Sequence, residues 1–285
     1  MDMNAPNGRR ICVHESVKPI ELEYSDSGTY YGDTTIKIYE EYKISLVLTD
    51  DCGAVIGSKV FFPQRGDLII FRPNEVHFGR FPRSGEYRFV SFLFPVDLFE
   101  HVCRDSRSIV EPFLDDSEDK VNLIRLPEPY KSRVIDLTEG LLQRMKEETP
   151  HVDALAFAAL IEALHVFCQF YPGQKAKGDT HPPHPVVARA LRHINADFPA
   201  FMGLEELAKC CGCSVTYLTQ IFRRYTGKTV HGYLTETRLE HARQLLRKGI
   251  SVTETAYRSG YDDTSRFILQ FKKQFHMTPG QYKKQ

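Results

Sequence analysis

Apolar positions change their spacing twice along this chain, and each change marks a different kind of structure. Between residues 10 and 95 they fall in short runs rich in Val, Ile, Tyr and Phe, broken by Gly, Pro and Asp: TIKIYE, KISLVLTD, AVIGSKVFF, DLIIFR and YRFVSFLF. Such runs, spaced at about ten residues, predict the strands of a small antiparallel barrel or sandwich. The most specific piece is GDLIIFRPNEVHFGRF, residues 66–81. There Gly66-Asp67 turns the chain, an apolar strand follows, Pro73-Asn74 ends it and His77 begins the next.

From residue 130 to 171 the period becomes helical. Ile135, Leu137, Leu141, Leu142 and Met145 recur at spacings of one to four and, after a break at Thr149-Pro150, so do Leu155, Phe157, Leu160, Ile161, Leu164, Phe167 and Cys168. The second helix is apolar around much of its circumference, so it is expected to be buried inside its own domain or against a second subunit. PGQKAKGDTHPPHP, residues 172–185, holds no large apolar residue and reads as an exposed linker. The expected domains are therefore 1–171, a linker at 172–183, and 184–285.

The last part of the chain contains one kind of unit twice. LEELAKCCGCSVTYLTQIFRRYTGKTVHGYL (204–234) and SVTETAYRSGYDDTSRFILQFKKQFHMTPGQY (251–282) align at an offset of 49 residues. That offset sets Leu218 on Phe267, Phe222 on Phe271, Arg223-Arg224 on Lys272-Lys273, Thr229 on Thr278 and Tyr233 on Tyr282. Each copy predicts a short helix containing a small residue (Ala208, Ala256), a Gly turn (Gly212, Gly260), a polar N-cap and a second helix. That is the order of a helix-turn-helix, whose second helix enters the DNA major groove.

Charge agrees once the chain is divided. The whole has 37 basic and 37 acidic residues, but residues 184–285 carry 16 Lys and Arg against 8 Asp and Glu, leaving 21 against 29 for residues 1–183. The basic half holds the repeat, and a polyanion is the partner that such asymmetry suits. Seven scattered cysteines fit reduced thiols rather than a disulfide framework, and Cys210, Cys211 and Cys213 read as small packing residues rather than metal ligands. With no membrane-length apolar run expected and no apolar signal region at the N-terminus, the reading is a cytoplasmic protein without a membrane partner.

The second unit carries Ala256, Gly260, Tyr261, Phe267, Phe271, Lys272, Lys273, Thr278, Pro279 and Tyr282. In these residues it resembles the AraC/XylS family of transcription regulators, and residues 66–81 resemble the cupin-type sensor domain of many members. The implied fold is α+β. An N-terminal antiparallel, cupin-like β-barrel with flanking helices is followed by an all-α domain of two helix-turn-helix units joined by a long helix, residues 230–248. The implied function is a sequence-specific DNA-binding transcription regulator. A small organic effector, a sugar or related metabolite, would control it from the barrel. Its partners would be double-stranded DNA, a second copy of the chain through helices in 130–171, and RNA polymerase.

On the first recognition helix Ser214 is the expected N-cap, and Thr216, Tyr217, Thr219, Gln220, Arg223 and Arg224 form the expected DNA face. On the second, Asp263 is the N-cap, and Thr264, Ser265, Ile268, Leu269, Lys272 and Lys273 form that face. Two positions depart from the family pattern. Position 269, commonly Arg, is Leu, which removes a guanine-type donor fork. Position 276, commonly Gly, is His, which accepts a positive φ less readily.

In the barrel His77, Arg80 and Tyr39 are the candidate effector-binding residues. Metal-binding cupins pair a later His with an early His-x-His and a Glu. TIKIYEEYKISLVLTD holds no histidine, so neither a metal nor another cofactor is expected. The alternative function is an enzyme, with a cupin catalytic domain or a DNA-repair alkyl acceptor fused to a DNA-binding module. The second of these needs a cysteine in an activating setting.

Overall fold

A computed structural model describes every residue except 1–6, 14–17, 26–33, 51, 81–86, 102–107, 118, 178–183, 202 and 285. Its N-terminal half contains β1 (Asn7–Ile11), β2 (Ile20–Ser25), β3 (Tyr42–Val47), β4 (Gly53–Ile56), β5 (Lys59–Phe61), β6 (Leu68–Phe71), β7 (His77–Arg80) and β8 (Phe89–Phe94). Short helices α1 (Leu98–His101) and α2 (Glu111–Leu114) and strand β9 (Leu123–Ile124) lead into α3 (Tyr130–Lys146) and α4 (Val152–Lys177). The strands form two antiparallel sheets, β1-β2-β8-β3-β6-β9 and β5-β4-β7. Among the described residues no continuous ladder closes them, so the expected barrel is an open pair of sheets around a shared interior.

The central strands of the larger sheet, β3, β6 and β8, are buried on both faces, and alternation divides their side chains between two environments. Tyr42, Ile44 and Leu46 of β3 and Val90, Phe92 and Phe94 of β8 join the core under α3 and α4. Lys43 and Ser45 of β3 and Phe89 and Ser91 of β8 face a cavity between the sheets instead.

Two expected strands differ in the structure. AVIGSKVFF is a hairpin, β4 and β5, because Gly57 at φ +57° turns the chain back and pairs Ile56 with Lys59. TIKIYE makes a single bridge, Lys37 to His77. The other backbone edge of that segment is occupied by helix side chains, as described below.

Helix α4 contains a stretch, Val152–Gln174, long and apolar enough to cross a membrane, contrary to the expectation of no such run. Ala156, Leu160, Leu164 and Phe167 on it are buried in the core of the N-terminal half. Leu160 and Leu164, expected as a possible subunit interface, are fully buried within their own domain. The helix also continues through Pro172 to Lys177, into the segment expected as linker. Extending a packed helix costs far less than starting one.

The C-terminal half is helical. It comprises α5 (Pro185–Ala196), α6 (Leu204–Cys210), α7 (Val215–Thr226), α8 (Val230–Arg247), α9 (Val252–Arg258), α10 (Thr264–Phe275) and α11 (Pro279–Tyr282). The repeat seen in sequence is geometric. Leu218, Phe267, Phe222 and Phe271 are all fully buried, while Thr229 caps α8 and Thr278 caps α11 in the same manner. Phe222 packs on Tyr233 at 5.7 Å, and Phe271 on Tyr282 at 5.8 Å.

The two halves share a core. Ile36, Ile38, Val55, Val60, Val76 and Phe78 pack with Val187, Leu191, Ile194, Tyr233 and Leu234 of α5 and α8. Asn195 donates to Gly57 O at 3.1 Å and accepts from the Tyr233 hydroxyl at 2.7 Å, which pins the β4–β5 turn to both helices.

The turn glycines of the two units differ in their surroundings. Both have positive φ, +68° at Gly212 and +80° at Gly260. A Cβ at Gly212 would meet nothing within 4 Å, whereas at Gly260 it would lie 2.4 Å from Pro199 O. Gly212→Ala should therefore cost about 1–2 kcal/mol of left-handed strain. Gly260→Ala should cost clearly more, because backbone must also shift. Thermal melts of the two variants check this, and equal midpoints would contradict it.

Candidate nucleic-acid interface and ligand cavity

Each recognition helix begins at a true cap. Ser214 accepts a hydrogen bond from Tyr217 N at 3.2 Å, and Asp263 accepts one from Ser265 N at 2.8 Å. From Ser214 the α7 periodicity turns Leu218, Ile221 and Phe222 inward. Thr216, Tyr217, Gln220, Arg223 and Arg224 are left exposed. Thr219 is half-buried, and its hydroxyl donates to Val215 O and Thr216 O at 3.0 and 2.9 Å, so it serves its own helix rather than the outer face. The Tyr217 hydroxyl lies 3.2 Å from His184 Nε2.

On α10 the exposed side chains are Ser265, Arg266, Leu269, Lys272 and Lys273. Thr264 is half-buried, and Ile268 packs against the core of the second unit, so Ile268 does not belong to the outer face. The residue missed in sequence is Arg266. It sits three positions before Leu269, on the same face of the helix, and makes no hydrogen bond among the described residues. The donor fork absent at 269 is present one turn earlier. Counting the helical period from the Asp263 cap would have found it. His276 closes α10 in the left-handed region at φ +57°, where the family pattern has Gly.

The cavity between the sheets holds about 160 Å³. His77 and Tyr39 line it. Arg80 ends β7 opposite Gly53, and its side chain lies outside the described residues. Sequence reasoning missed Lys43, Glu23, Ser45 and Ser91, which alternation along β2, β3 and β8 places on the cavity face. Lys43 pairs with Glu23 at 3.1 Å and lies over the rings of Tyr39 and Phe71 at 5.1 and 5.6 Å. The Ser45 and Ser91 hydroxyls are hydrogen-bonded at 2.6 Å.

His77 Nδ1 lies 2.9 Å from Glu75 O. A carbonyl only accepts, so Nδ1 carries the proton and Nε2 is left as a buried acceptor with no partner among the described residues. Burial first, and the nearby Lys43 ammonium second, push the His77 pKa down from 6.5 to about 3. Among the described residues no three His, Cys, Asp or Glu side chains gather as a metal-binding group.

These features define a protein with two helix-turn-helix heads and an antiparallel β domain built around a polar, aromatic-walled cavity. Residues 207–285 match the family model of a helix-turn-helix domain, and residues 38–164 match that of an AraC-like ligand-binding domain. The chain belongs to the AraC family.

Over 99 residues it is 35% identical to an uncharacterised HTH-type transcriptional regulator in the cgkA 5′ region of Pseudoalteromonas carrageenovora, covering 35% of this chain and 59% of the relative. It is 38% identical over 81 residues to the HTH-type transcriptional activator RhaR of an Enterobacter species, covering 28% and 29%. The chain thus spans about six-tenths and three-tenths of these relatives' lengths. The C-terminal domain of AraT, a response regulator from Geobacillus stearothermophilus, is 32% identical; the match covers 35% of this chain and 85% of that one at a TM-score of 0.34.

The His77 shift has a measurable sign. With the folded pKa near 3 and the unfolded value near 6.5, the unfolded chain binds the proton preferentially between these values. The stabilising effect is complete above pH 6.5 and declines as pH falls, by about 1.4 kcal/mol per unit. Between pH 7 and pH 5 the wild type should therefore lose about 2 kcal/mol that His77→Gln does not lose. Denaturant midpoints at the two pH values check this, and parallel losses would contradict it.

Proposed function

We propose that this protein is a sequence-specific DNA-binding transcription regulator controlled by a small organic effector held in the cavity of its N-terminal domain. The observation that carries the reading is the pair of capped helices, α7 and α10, each with a polar and basic face in solvent. Both stand on a half with 16 basic against 8 acidic residues. Gln220 offers a bidentate match to adenine, Arg266 to guanine, and Leu269 an apolar contact for a thymine methyl. Arg223, Arg224, Lys272 and Lys273 flank them as phosphate contacts.

A polyhydroxylated effector such as a sugar suits the cavity. The free acceptor of His77, the Ser45–Ser91 pair, Lys43 and Glu23 offer both donors and acceptors, and aromatic rings supply flat walls. The enzyme alternative finds less support. Burial raises the Cys168 thiol to about 12 and the Cys211 thiol upward, the reverse of what an alkyl-accepting thiolate needs. Assembly as a homodimer would cover the exposed Leu137 and Leu155 of α3 and α4. A regulator of this kind acts in the cytoplasm, on transcription by RNA polymerase.

The test is duplex binding by the full chain as a function of salt. Neutralising about five phosphates gives a log–log slope of about −4 to −5, and a flat dependence would sink the reading. Within it, Gln220→Ala and Arg266→Ala should each relax preference at one base pair by about 1–3 kcal/mol, while Lys273→Ala weakens all sequences alike. Binding-site selection with each variant distinguishes these roles.

A further inference from the structure

Residues 35–39 lie between the cavity and α8, and they present a different side to each. In an extended chain the backbone groups of successive residues point to opposite edges, and their side chains to opposite faces. On one edge Lys37 exchanges two bonds with His77 of β7, at 2.8 and 3.0 Å. On the other, Ile36 N donates to Glu236 at 3.2 Å, Ile38 N donates to Glu240 at 3.3 Å, and Gln244 donates to Ile38 O at 3.1 Å. Three α8 side chains, spaced one turn apart, thus stand where a neighbouring strand would lie. The side chains divide in the same way. Thr35, Lys37 and Tyr39 line the cavity, whereas Ile36 and Ile38 are buried in the core shared with α5 and α8.

Each carboxylate leads on to a different DNA-reading head. Glu236 pairs with Lys228 at 2.8 Å, just past Gly227, the cap that ends α7. The Lys228 ammonium also lies over Phe78, another cavity-lining residue, at 5.1 Å. Glu240 pairs with Arg243, which donates to the Tyr282 hydroxyl of α11 at 3.4 Å. The Tyr282 ring packs on Phe271 of α10. Glu240 is 3% exposed, so losing these donors would strand a buried charge. A displacement of residues 35–39 is therefore followed by α8 or breaks its bonds.

Resting on the regulator reading above, we infer that residues 35–39 are the strap through which an occupant of the cavity sets DNA affinity. One branch runs through Ile36, Glu236 and Lys228 to α7, and the other through Ile38, Glu240, Arg243 and Tyr282 to α10. Both heads then respond to one movement. The effect requires only that an occupant favour one position of the strap over another.

A side chain can stand in for the occupant. In the full chain, Ser91→Leu and, separately, Ser45→Leu fill the cavity, and Glu236→Leu, Glu240→Leu and Gln244→Leu together cut the strap from α8. The DNA probe is the duplex that the full chain selects from a random library. Filling should change the dissociation constant by about fivefold or more in the parent and by less than about twofold in the cut background. Equal changes in both backgrounds would overturn the strap, as would no change in a parent whose melt shows it folded.

Hydrogen exchange on Ser91→Leu alone gives a second readout that needs neither DNA nor the cut variant. Protection should change at the Ile36 and Ile38 amides and at α11 together, and a change confined to the β-sheets would overturn the inference. Should the full chain select no duplex, the regulator reading fails, and the exchange experiment still decides the strap.

Discussion

A carboxylate can be buried only where donors meet it, and Glu240 in the middle of the long helix meets that condition in an unusual way. Its partners are Arg243, one turn along its own helix, and the backbone N–H of Ile38, more than two hundred residues earlier in the chain. Gln244 and Thr237 are buried on the same helix, and Gln244 is satisfied by the carbonyl of Ile38. The polar stripe of α8 is thus stable only with the β domain against it, and the outer edge of residues 35–39 is complete only with α8 against it. Each half supplies what the other would otherwise leave unpaired. The apolar core around Phe78, Tyr233 and Leu191 adds area, but these hydrogen bonds fix the register.

The two helix-turn-helix units share a scaffold and differ in what they display. Leu218 and Phe222 in one, and Phe267 and Phe271 in the other, are fully buried at equivalent positions of the two capped helices α7 and α10. On the outer faces, the first unit shows Gln220 with two arginines, while the second shows Arg266 and Leu269 with two lysines. Their settings differ too. The first unit packs against the β domain through α5 and α8, whereas the core of the second is made from its own helices and the end of α8. The turn glycine of the second unit is locked against Pro199, so its angle depends on the segment after α5.

Inside the β domain, electrostatics follow from which face of a strand each residue occupies. Lys43 and Ser45 alternate with Ile44 and Leu46 along one strand, and the same pleat that sends the apolar pair toward α4 sends the polar pair into the cavity. Desolvation and the Lys43 ammonium then keep His77 neutral, and the carbonyl of Glu75 decides which nitrogen bears the proton. The outcome is a buried acceptor facing aromatic walls, set by neighbours that lie far apart in sequence.

Local chemistry was legible without a fold. Apolar periodicity, the caps Ser214 and Asp263, the turn glycines and the 49-residue offset located α7 and α10, since each of those signals acts within about a turn of its own position. The runs KISLVLTD, DLIIFR and YRFVSFLF, which form β3, β6 and β8, were visible for the same reason, as was the exposed face of α7 apart from Thr219. Less visible were features set by distant partners. TIKIYE has the composition of a strand, yet α8 side chains rather than a strand complete its edge. Leu160 and Leu164 have the pattern of a surface that needs covering, and the sensor's own sheet covers them. Ile268 turned inward and Arg266 outward because the second core fixed the rotation of α10. A sequence states which groups must be buried or bonded; only the packed chain determines which partner, out of many chemically equivalent ones, comes within 3 Å to do it.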